Sequence, residues 1–465
     1  MGIVQILTML VSVVRGKVAA VFIKSAGLAV NDLYSRNIAL VGSISNLGIG
    51  FSAVQRLAKL HEQGDETATR EYARVVRTWV MLTACCGFAL GIVSSPLLSL
   101  FMTHGYAETW HFCLLAPVVA FTTLMGGEIA VLKGLHQLRR LATVTLWTAL
   151  STLLVAVPFY MWLGFRAIIP VLFLSTFVSM ALHIAATYPI MPYRLCRVDK
   201  TFIKNGMPLI RLGISYVLAG VVATATELVI RTMLKTQMHS WEELGLYAAG
   251  FTLIVSYARI VFVAMDADFF PRLSAAIHDG VRTKTLISHQ TDVLVMLMTP
   301  LLMVFALLLP WLIPLLLTSE FLPVIPMVLW GLNYMFFKAV YTPAAYLSLA
   351  HADSSVYFVM ETIYNLVLIL SVLAGYHFYG LEGAGIGLSL ANLFDLLAIS
   401  AYYKKRYGLR YDSRTVIFCL IQFILLATGL SACYIPQIGL RIGICALTIL
   451  ISIILSLYMV KREKE

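Results

Sequence analysis

Charged residues are scarce in this sequence. Asp, Glu, Lys and Arg make up 12% of its 465 residues, whereas a typical soluble domain has about 25%. Apolar residues make up 60% of the chain, and no stretch is long and polar enough to form a soluble domain. Apolar runs of about 20 residues, each able to cross roughly 30 Å of hydrocarbon, recur along the chain. The sequence therefore excludes a soluble globular fold and predicts a polytopic membrane protein.

The motifs of common cofactor and metal sites are also missing. The phosphate-loop pattern G-x-x-x-x-G-K-[ST] does not occur, which argues against ATP-driven transport by this chain. The seven cysteines, an odd number, lie mostly inside apolar runs and show no metal-ligand spacing with histidine. We therefore expect small core residues rather than a disulfide framework, and neither a metal nor a cofactor.

The apolar runs predict an all-α fold with about 14 transmembrane helices. The first run, Ile3 to Ile23, contains Arg15 and Lys17 and precedes no soluble domain, so it is interpreted as the first span rather than as a signal peptide. The predicted spans lie near 3–23, 32–54, 77–101, 112–132, 142–163, 168–191, 209–231, 244–267, 288–317, 324–349, 356–378, 383–403, 414–434 and 440–460.

A weak internal repeat predicts a body of two halves. Arg56–Leu57, followed eight residues later by Gly64, recurs as Arg272–Leu273 followed by Gly280. Repeats of this kind in transporters place the substrate site between the halves, so we expect a central cavity. The predicted divisions are a six-helix lobe at 1–191, a cytoplasmic linker at 192–206, a second six-helix lobe at 207–403, and two further helices with a cytoplasmic tail at 404–465.

The net charge of +11 follows the loops between the spans. Cytoplasmic loops of membrane proteins are enriched in Lys and Arg, so this distribution predicts that both termini are cytoplasmic. Anionic lipid headgroups are the expected partner of these bases, and nucleic acid is not. The basic loop residues are Arg56, Lys59, Arg70, Arg74, Arg77, Lys133, Arg139, Arg140, Arg194, Arg197, Lys200, Lys204, Arg272, Arg282, Lys284, Lys404, Lys405, Arg406, Arg410, Lys461, Arg462 and Lys464.

Four bases lie deep within predicted spans: Arg15, Lys17, Arg259 and Lys338. A charged side chain at a span centre costs at least about 2.5–3.5 kcal/mol on insertion scales, so each one needs a partner, a cavity or a function. These bases outnumber the obvious deep acids, which favours a hydrated cationic cavity that binds an anionic substrate. Phosphate esters suit such a site because Arg donates two parallel hydrogen bonds and Lys supplies a compact charge.

Four acidic residues within or next to the predicted spans are candidates for coupling transport to an ion, H⁺ or Na⁺. They are Glu128, Glu227, Asp268 and Glu361. Structural alternatives remain open: Glu227 can pair with Arg231 along one helix face, Glu128 can extend towards nearby water, and Glu361 can pair with Lys338.

One segment resembles a known family. Ala264 to Ser274, which reads AMDADFFPRLS, is similar to the Ala-Met-x-x-Asp-Tyr-Tyr-Pro-Arg-Leu-Ser segment of Wzx-type polysaccharide flippases. Related chains usually have several more residues before the first helix, so we expect a start upstream of Met1. Further similar stretches are Ile230–Thr232, Trp241–Tyr247, Glu320–Pro323 with Trp330, Lys338, Pro343 and Glu361, Gly380–Gly387, Gly16–Ala19 with Ala26–Gly27, and Leu132–Gly134.

The resemblance implies a member of the multidrug/oligosaccharidyl-lipid/polysaccharide (MOP) exporter superfamily. It implies two six-helix lobes around a central cavity that work by alternating access without ATP. O-antigen and enterobacterial-antigen flippases look closest; they move undecaprenyl-pyrophosphate-linked oligosaccharide units from the cytoplasmic to the periplasmic leaflet of the bacterial inner membrane. The expected partners are therefore this lipid-linked oligosaccharide, a coupling ion, membrane lipids and a polysaccharide polymerase machinery.

Two other functions are considered. A cation-coupled multidrug exporter of the same superfamily would take cationic drugs, which suit an acidic cavity better than a basic one. A membrane-embedded polymerase or acyltransferase would need a large polar loop or a constellation of histidine and carboxylate at one surface. The ten histidines are scattered, so we expect a transporter rather than an enzyme.

Overall fold

The structure, a computed structural model, describes residues 2–103, 105–238, 240–351 and 353–464. Some side chains within these ranges lie outside the description, among them those of 208–216, 256–260 and 266–268. All regular structure in the described ranges is helical, which confirms the predicted fold class. Eight helical stretches of the described residues are long and apolar enough to cross a membrane. The protein is thus a multi-pass membrane protein.

The chain divides into two compact units. The first unit comprises Met1–Gly245 and Leu316–Thr318, and the second unit comprises Leu246–Leu315 and Ser319–Glu465. The helices that begin in the first unit are α1 (Gly2–Phe22), α2 (Lys24–Asn46), α3 (Ile49–Glu62), α4 (Glu66–Thr103), α5 (Thr109–Gly134), α6 (Leu138–Leu163), α7 (Ile168–Thr187), α8 (Lys200–Gln237) and α9 (Trp241–Ala276). Those that begin in the second unit are α10 (Gly280–Leu316), α11 (Ile325–Ala350), α12 (Ser354–Tyr407), α13 (Ser413–Ala432) and α14 (Ile438–Lys464).

Apolar packing builds the first unit around α5. Helices α4 and α7 pack on α5, α1 packs on α6, and α2 packs on α5 and α8. Tyr34 and Phe112 are buried at the centre, with ring centroids 5.4 Å apart in an edge-to-face arrangement, the geometry that aromatic pairs prefer. These contacts bring α2, α4, α5 and α8 together, and the buried charges of the first unit lie on these helices.

The segment predicted as one span at 32–54 consists of two helices. Leu47 and Gly48, with φ angles of 49° and 68°, separate α2 from α3, because left-handed residues end a helix. The predicted linker at 192–206 is irregular only up to Asp199, and residues 200–206 form the start of α8. Helix α8 packs on α2, α3 and α4 and falls in the first unit. The lobe boundaries themselves remain a prediction.

In the second unit α11 and α12 form the most extensive helix pair. Tyr379 and Gly380 divide α12 into two halves, since Gly380 has a φ of 58° and a ψ of −142°, a combination that glycine tolerates best. A Cβ atom at Gly383 would strike the backbone of Gly375, and one at Gly385 would strike the backbone of Met327 in α11. The glycines of 380–387 therefore allow the two halves of α12 to pack closely on each other and on α11.

Candidate functional site

A polar cluster lies between α11 and α12 inside apolar helices of the second unit. Lys338 of α11 is half-buried, and its Nζ lies 5.8 Å from the ring centroids of both Phe262 and Tyr334. It interacts electrostatically with Glu361 in the first half of α12 and with Asp395 in the second half. We call Lys338, Tyr341, Glu361, Asn392 and Asp395 the α11–α12 cluster.

Neutral polar side chains fix the two carboxylates of the α11–α12 cluster. Asn365 donates a hydrogen bond of 3.2 Å to Glu361 Oε1. Tyr341 donates a hydrogen bond of 3.0 Å to Oδ1 of Asn392 and lies beside Asp395. Polar groups removed from water require such partners, so the cluster is an ordered network rather than a set of isolated charges.

The charges of the α11–α12 cluster do not balance. When all three groups are ionised, Glu361 and Asp395 carry two negative charges against the single positive charge of Lys338. Among the described side chains this leaves one excess negative charge, which is costly in a low-dielectric interior and which a bound cation or a proton on one carboxylate would neutralise. An anion that binds Lys338 draws its positive charge away from the carboxylates, which then require a cation or a proton more strongly. The arrangement can thus link anion binding at Lys338 to cation uptake.

The other predicted cavity bases lie in different surroundings. Lys17 of α1 is half-buried and donates a hydrogen bond to the backbone carbonyl of Leu317. Arg15 is exposed on α1 and interacts electrostatically with Tyr160. Because successive helical residues are rotated by about 100°, positions two apart project from nearly opposite sides of α1. The side chains of Arg259 and Asp268 lie outside the described residues.

Four charged residues join α2 and α8 within the first unit; we call them the four-charge network. Arg231 pairs with Asp32, and Arg36 pairs with Glu227. Asp32 also lies 3.3 Å from Arg36 on its own helix. Glu227 and Arg231 thus both pair across to α2, and Arg231 also donates to the backbone carbonyl of Glu227 at 2.9 Å.

Glu128 of α5 forms a buried ion pair with Arg77 of α4. Arg77 Nε and Nη2 lie 2.8 and 2.7 Å from the two carboxylate oxygens, and both side chains are at most 2% exposed. Thr187 donates a further hydrogen bond to Glu128. Glu128 therefore does not extend towards water. Arg77, expected in a cytoplasmic loop, lies inside α4, because that helix begins at Glu66.

Sequence reasoning missed Asp32 and Arg36 as functional candidates and did not place Asp395 among the site residues. A sequence pattern could have indicated Asp32 and Arg36. Asp32 with Arg36 and Glu227 with Arg231 both follow the pattern acid-x-x-x-Arg within largely apolar helices. Antiparallel pairing of two such helices places each acid opposite the Arg of its partner. No local pattern of this kind connects Asp395 with Lys338, because they are joined only by the packing of α11 on α12.

The chain is similar to a known protein family in sequence and to known proteins in fold. Residues 38–326 match the model of a family described as polysaccharide biosynthesis protein. No curated protein matches the sequence. Among solved structures, an inward-facing multidrug resistance MATE transporter of the MOP superfamily aligns with a TM-score of 0.69 and 13% identity, over 86% of this chain and 94% of that one.

Two further solved structures share the fold. The lipid II flippase MurJ, in an inward closed conformation, aligns with a TM-score of 0.66 and 14% identity over 97% of both chains. A MOP superfamily transporter from Pyrococcus furiosus aligns with a TM-score of 0.61 and 14% identity, over 87% of this chain and 94% of that one. The superfamily fold implied by the sequence resemblance is thereby confirmed.

Proposed function

Because the chain belongs to the polysaccharide biosynthesis protein family, we propose that it is a Wzx-type flippase. Its substrate is an undecaprenyl-pyrophosphate-linked oligosaccharide repeat unit, which it moves from the cytoplasmic to the periplasmic leaflet by alternating access. The protein fold shared with a lipid II flippase over 97% of both chains supports this proposal. Transport rather than catalysis is the activity proposed.

The observation that carries the proposal is the position of Lys338. It lies midway along α11, a helix in which most side chains are apolar and buried, and its surroundings are two aromatic rings and two carboxylates. An ammonium group at this depth is expensive unless it serves a function. A lipid pyrophosphate is an anion that such a group can bind, and Arg15, Lys17 and Arg259 are proposed as further bases of the substrate path.

Ion coupling is assigned to the carboxylates next to Lys338. Glu361 and Asp395 compete with an anionic headgroup for the same ammonium, so substrate binding and cation binding are linked through one residue. We propose that H⁺ or Na⁺ binds at Glu361 when the substrate occupies Lys338. Glu227, Asp268 and Glu128 are secondary candidates, and the bidentate pairing of Glu128 with Arg77 favours a structural role for that residue.

The proposed location is the bacterial inner membrane, with both termini cytoplasmic. The excess of Lys and Arg in alternate loops supports this orientation. Anionic lipid headgroups are the proposed contacts of these loops, and a polysaccharide polymerase is the proposed acceptor system on the periplasmic side.

A gene deletion tests the proposed substrate. We expect the deletion strain to accumulate a lipid-linked oligosaccharide that is identifiable by mass spectrometry of extracted lipids. Lys338→Met should fail to clear this intermediate, with a loss of transport of about tenfold or more, whereas Lys338→Arg should retain activity because it keeps the charge. Lys284→Met is the matched control, since the Lys284 side chain is 41% exposed and pairs with Asp412 at 2.6 Å. A deletion strain with no such intermediate refutes the proposal.

A multidrug exporter is the second candidate, favoured by the structural similarity to a MATE transporter. Such exporters take cationic drugs, for which Lys338 is repulsive. Lys338→Glu should therefore improve drug efflux if the second candidate is correct and abolish glycan export if the first one is. Minimal inhibitory concentrations of cationic dyes, measured beside the lipid-linked intermediate, distinguish the two outcomes.

A further inference from the structure

The four-charge network is less completely buried than the Arg77–Glu128 ion pair of the same unit. Arg77 and Glu128 are at most 2% exposed on their side chains. In the network, Asp32 is 19% exposed, Arg36 is 28% exposed and Glu227 is 30% exposed, while Arg231 is buried. Separating a fully buried pair leaves charges without water, which is strongly destabilising. Asp32, Arg36 and Glu227 are partly exposed and can be hydrated when α2 and α8 separate. The buried Arg231 keeps its hydrogen bond to the Glu227 carbonyl when Asp32 leaves, so the network can open at a lower cost than the Arg77–Glu128 pair.

Helix α8 is held to the first unit at its other end by a different kind of contact. Three consecutive residues of α4 bind the segment that leads into α8 and the first turn of α8. Arg77 donates to the carbonyls of Met191 and Pro192 at 3.0 and 2.9 Å, Thr78 accepts the Cys196 amide at 2.8 Å, and Trp79 stacks on Phe202 with centroids 5.0 Å apart. This end of α8 is therefore fixed by backbone hydrogen bonds and aromatic packing, which do not depend on the four charges.

We propose that the four-charge network is a reversible latch: it holds α8 against α2 in this conformation and opens in each transport cycle, while the start of α8 stays attached to α4. The proposal rests on the proposed function only in requiring α8 to move during transport. Asp32 and Arg36 are positioning residues in this account, since they act through α8 and need not touch the substrate.

The symmetry of the network provides a direct test. Each helix carries an acid and, four residues later, an arginine. Reversing both charges on α2, by Asp32→Arg with Arg36→Asp, leaves the net charge unchanged but places like charges opposite each other at both cross-helix contacts. Reversing both on α8, by Glu227→Arg with Arg231→Glu, has the same effect. Combining the two reversals makes every contact attractive again.

The measurement is the distance between spin labels on α2 and α8, recorded by pulsed electron paramagnetic resonance in lipid nanodiscs. Ala39 and Met233 are exposed and accept the labels in a chain whose seven native cysteines are replaced. We expect the unreversed protein to show a short and a long distance. Each single-helix reversal should remove the short distance and lower transport by about tenfold or more, and the combined reversal should restore both.

The matched control is the exposed pair of Glu66 and Arg70, also four residues apart, with side chains 82% and 62% exposed. Its reversal, Glu66→Arg with Arg70→Glu, should change neither distance nor transport. If a single-helix reversal does not accumulate in the membrane, Asp32→Asn with Arg36→Gln replaces it; this variant leaves the net charge unchanged, removes both cross-helix contacts and should raise the long-distance fraction.

Two results would overturn the latch. One is a distance distribution that the reversals leave unchanged; the other is a single short distance in the unreversed protein while it transports. The distance measurement needs no knowledge of the substrate. A latch that opens in a protein unable to move lipid-linked oligosaccharide therefore refutes the proposed function but not the latch.

Discussion

Arg77 and Glu128 form a bidentate ion pair between α4 and α5, with nitrogen–oxygen distances of 2.8 and 2.7 Å. The same guanidinium caps the carbonyls of Met191 and Pro192 and lies 4.8 Å from the ring centroid of Tyr193. One buried residue thus connects two helices with the start of the segment that leads to α8. Glu128, paired in this way, has a structural role, and its carboxylate is not available to bind an ion from the solvent.

Glu128→Gln should destabilise the protein by about 3–5 kcal/mol, because it leaves Arg77 buried without its carboxylate partner. The measurement is the thermal unfolding midpoint in detergent, together with the amount of protein in the membrane. Replacing both residues by methionine should recover part of the loss, since no charge then remains uncompensated. Arg70→Ala, which removes an exposed pair, should cost about 0–1 kcal/mol. A stable, fully active Glu128→Gln protein would contradict the structural role.

Glu361→Gln should uncouple transport from the ion gradient without loss of protein. Removing one carboxylate leaves Lys338 opposite Asp395 alone, a balanced pair that no longer requires a cation. Asp395→Asn should have the same effect. The measurement is transport in membrane vesicles before and after an ionophore collapses the gradient.

The control for this prediction is Asp353→Asn. It removes a carboxylate that precedes α12 and pairs with Arg406, near the end of α12, at a distance of 3.2 Å. This variant should keep the full dependence on the gradient. If Glu361→Gln and Asp395→Asn keep it as well, the coupling site lies elsewhere.

Replacing two adjacent glycines of α5 by alanine should change the stability of the protein in opposite directions. A Cβ atom at Gly127 would lie 2.7 Å from Val80 Cγ1 in α4, whereas one at Gly126 would have no atom within 4 Å. Val80 is β-branched and cannot swing aside, so Gly127→Ala should cost about 1–3 kcal/mol through overpacking. Gly126→Ala should stabilise the helix by about 0.5–1 kcal/mol. Thermal midpoints of the two variants, measured side by side, check the packing of α4 on α5.

The sequence was sufficient to predict the helices because each apolar run has the length that a bilayer demands. It did not predict the break at Leu47–Gly48, although glycine at 48 is a signal for a helix end. Arg77 was expected in a loop because it stands at the polar edge of the apolar run that predicts the span at 77–101. The helix in fact begins at Glu66, and its first turns are polar where α4 faces Glu128 and the connecting segment.

The candidate site was less predictable than the fold. Lys338 and Glu361 could be named from their depth in apolar runs, and the structure joins them through α11 and α12. The partners of Glu227 and Arg231 could not be predicted from the sequence. Asp32 and Arg36 are almost two hundred positions away, and the local spacing of four offers a competing pairing. Side-chain pairing across helices depends on which faces pack together, and hydropathy does not specify this.

Reconstitution of the purified protein tests the central claim most directly. Proteoliposomes that carry a labelled undecaprenyl-pyrophosphate oligosaccharide in one leaflet would be followed by the fraction of label that becomes accessible at the other. The account predicts time-dependent translocation by the unaltered protein and by Lys338→Arg, and none above empty liposomes by Lys338→Met. Failure of folded, correctly oriented protein to move the lipid under an imposed ion gradient, or equal rates for all three proteins, would contradict it.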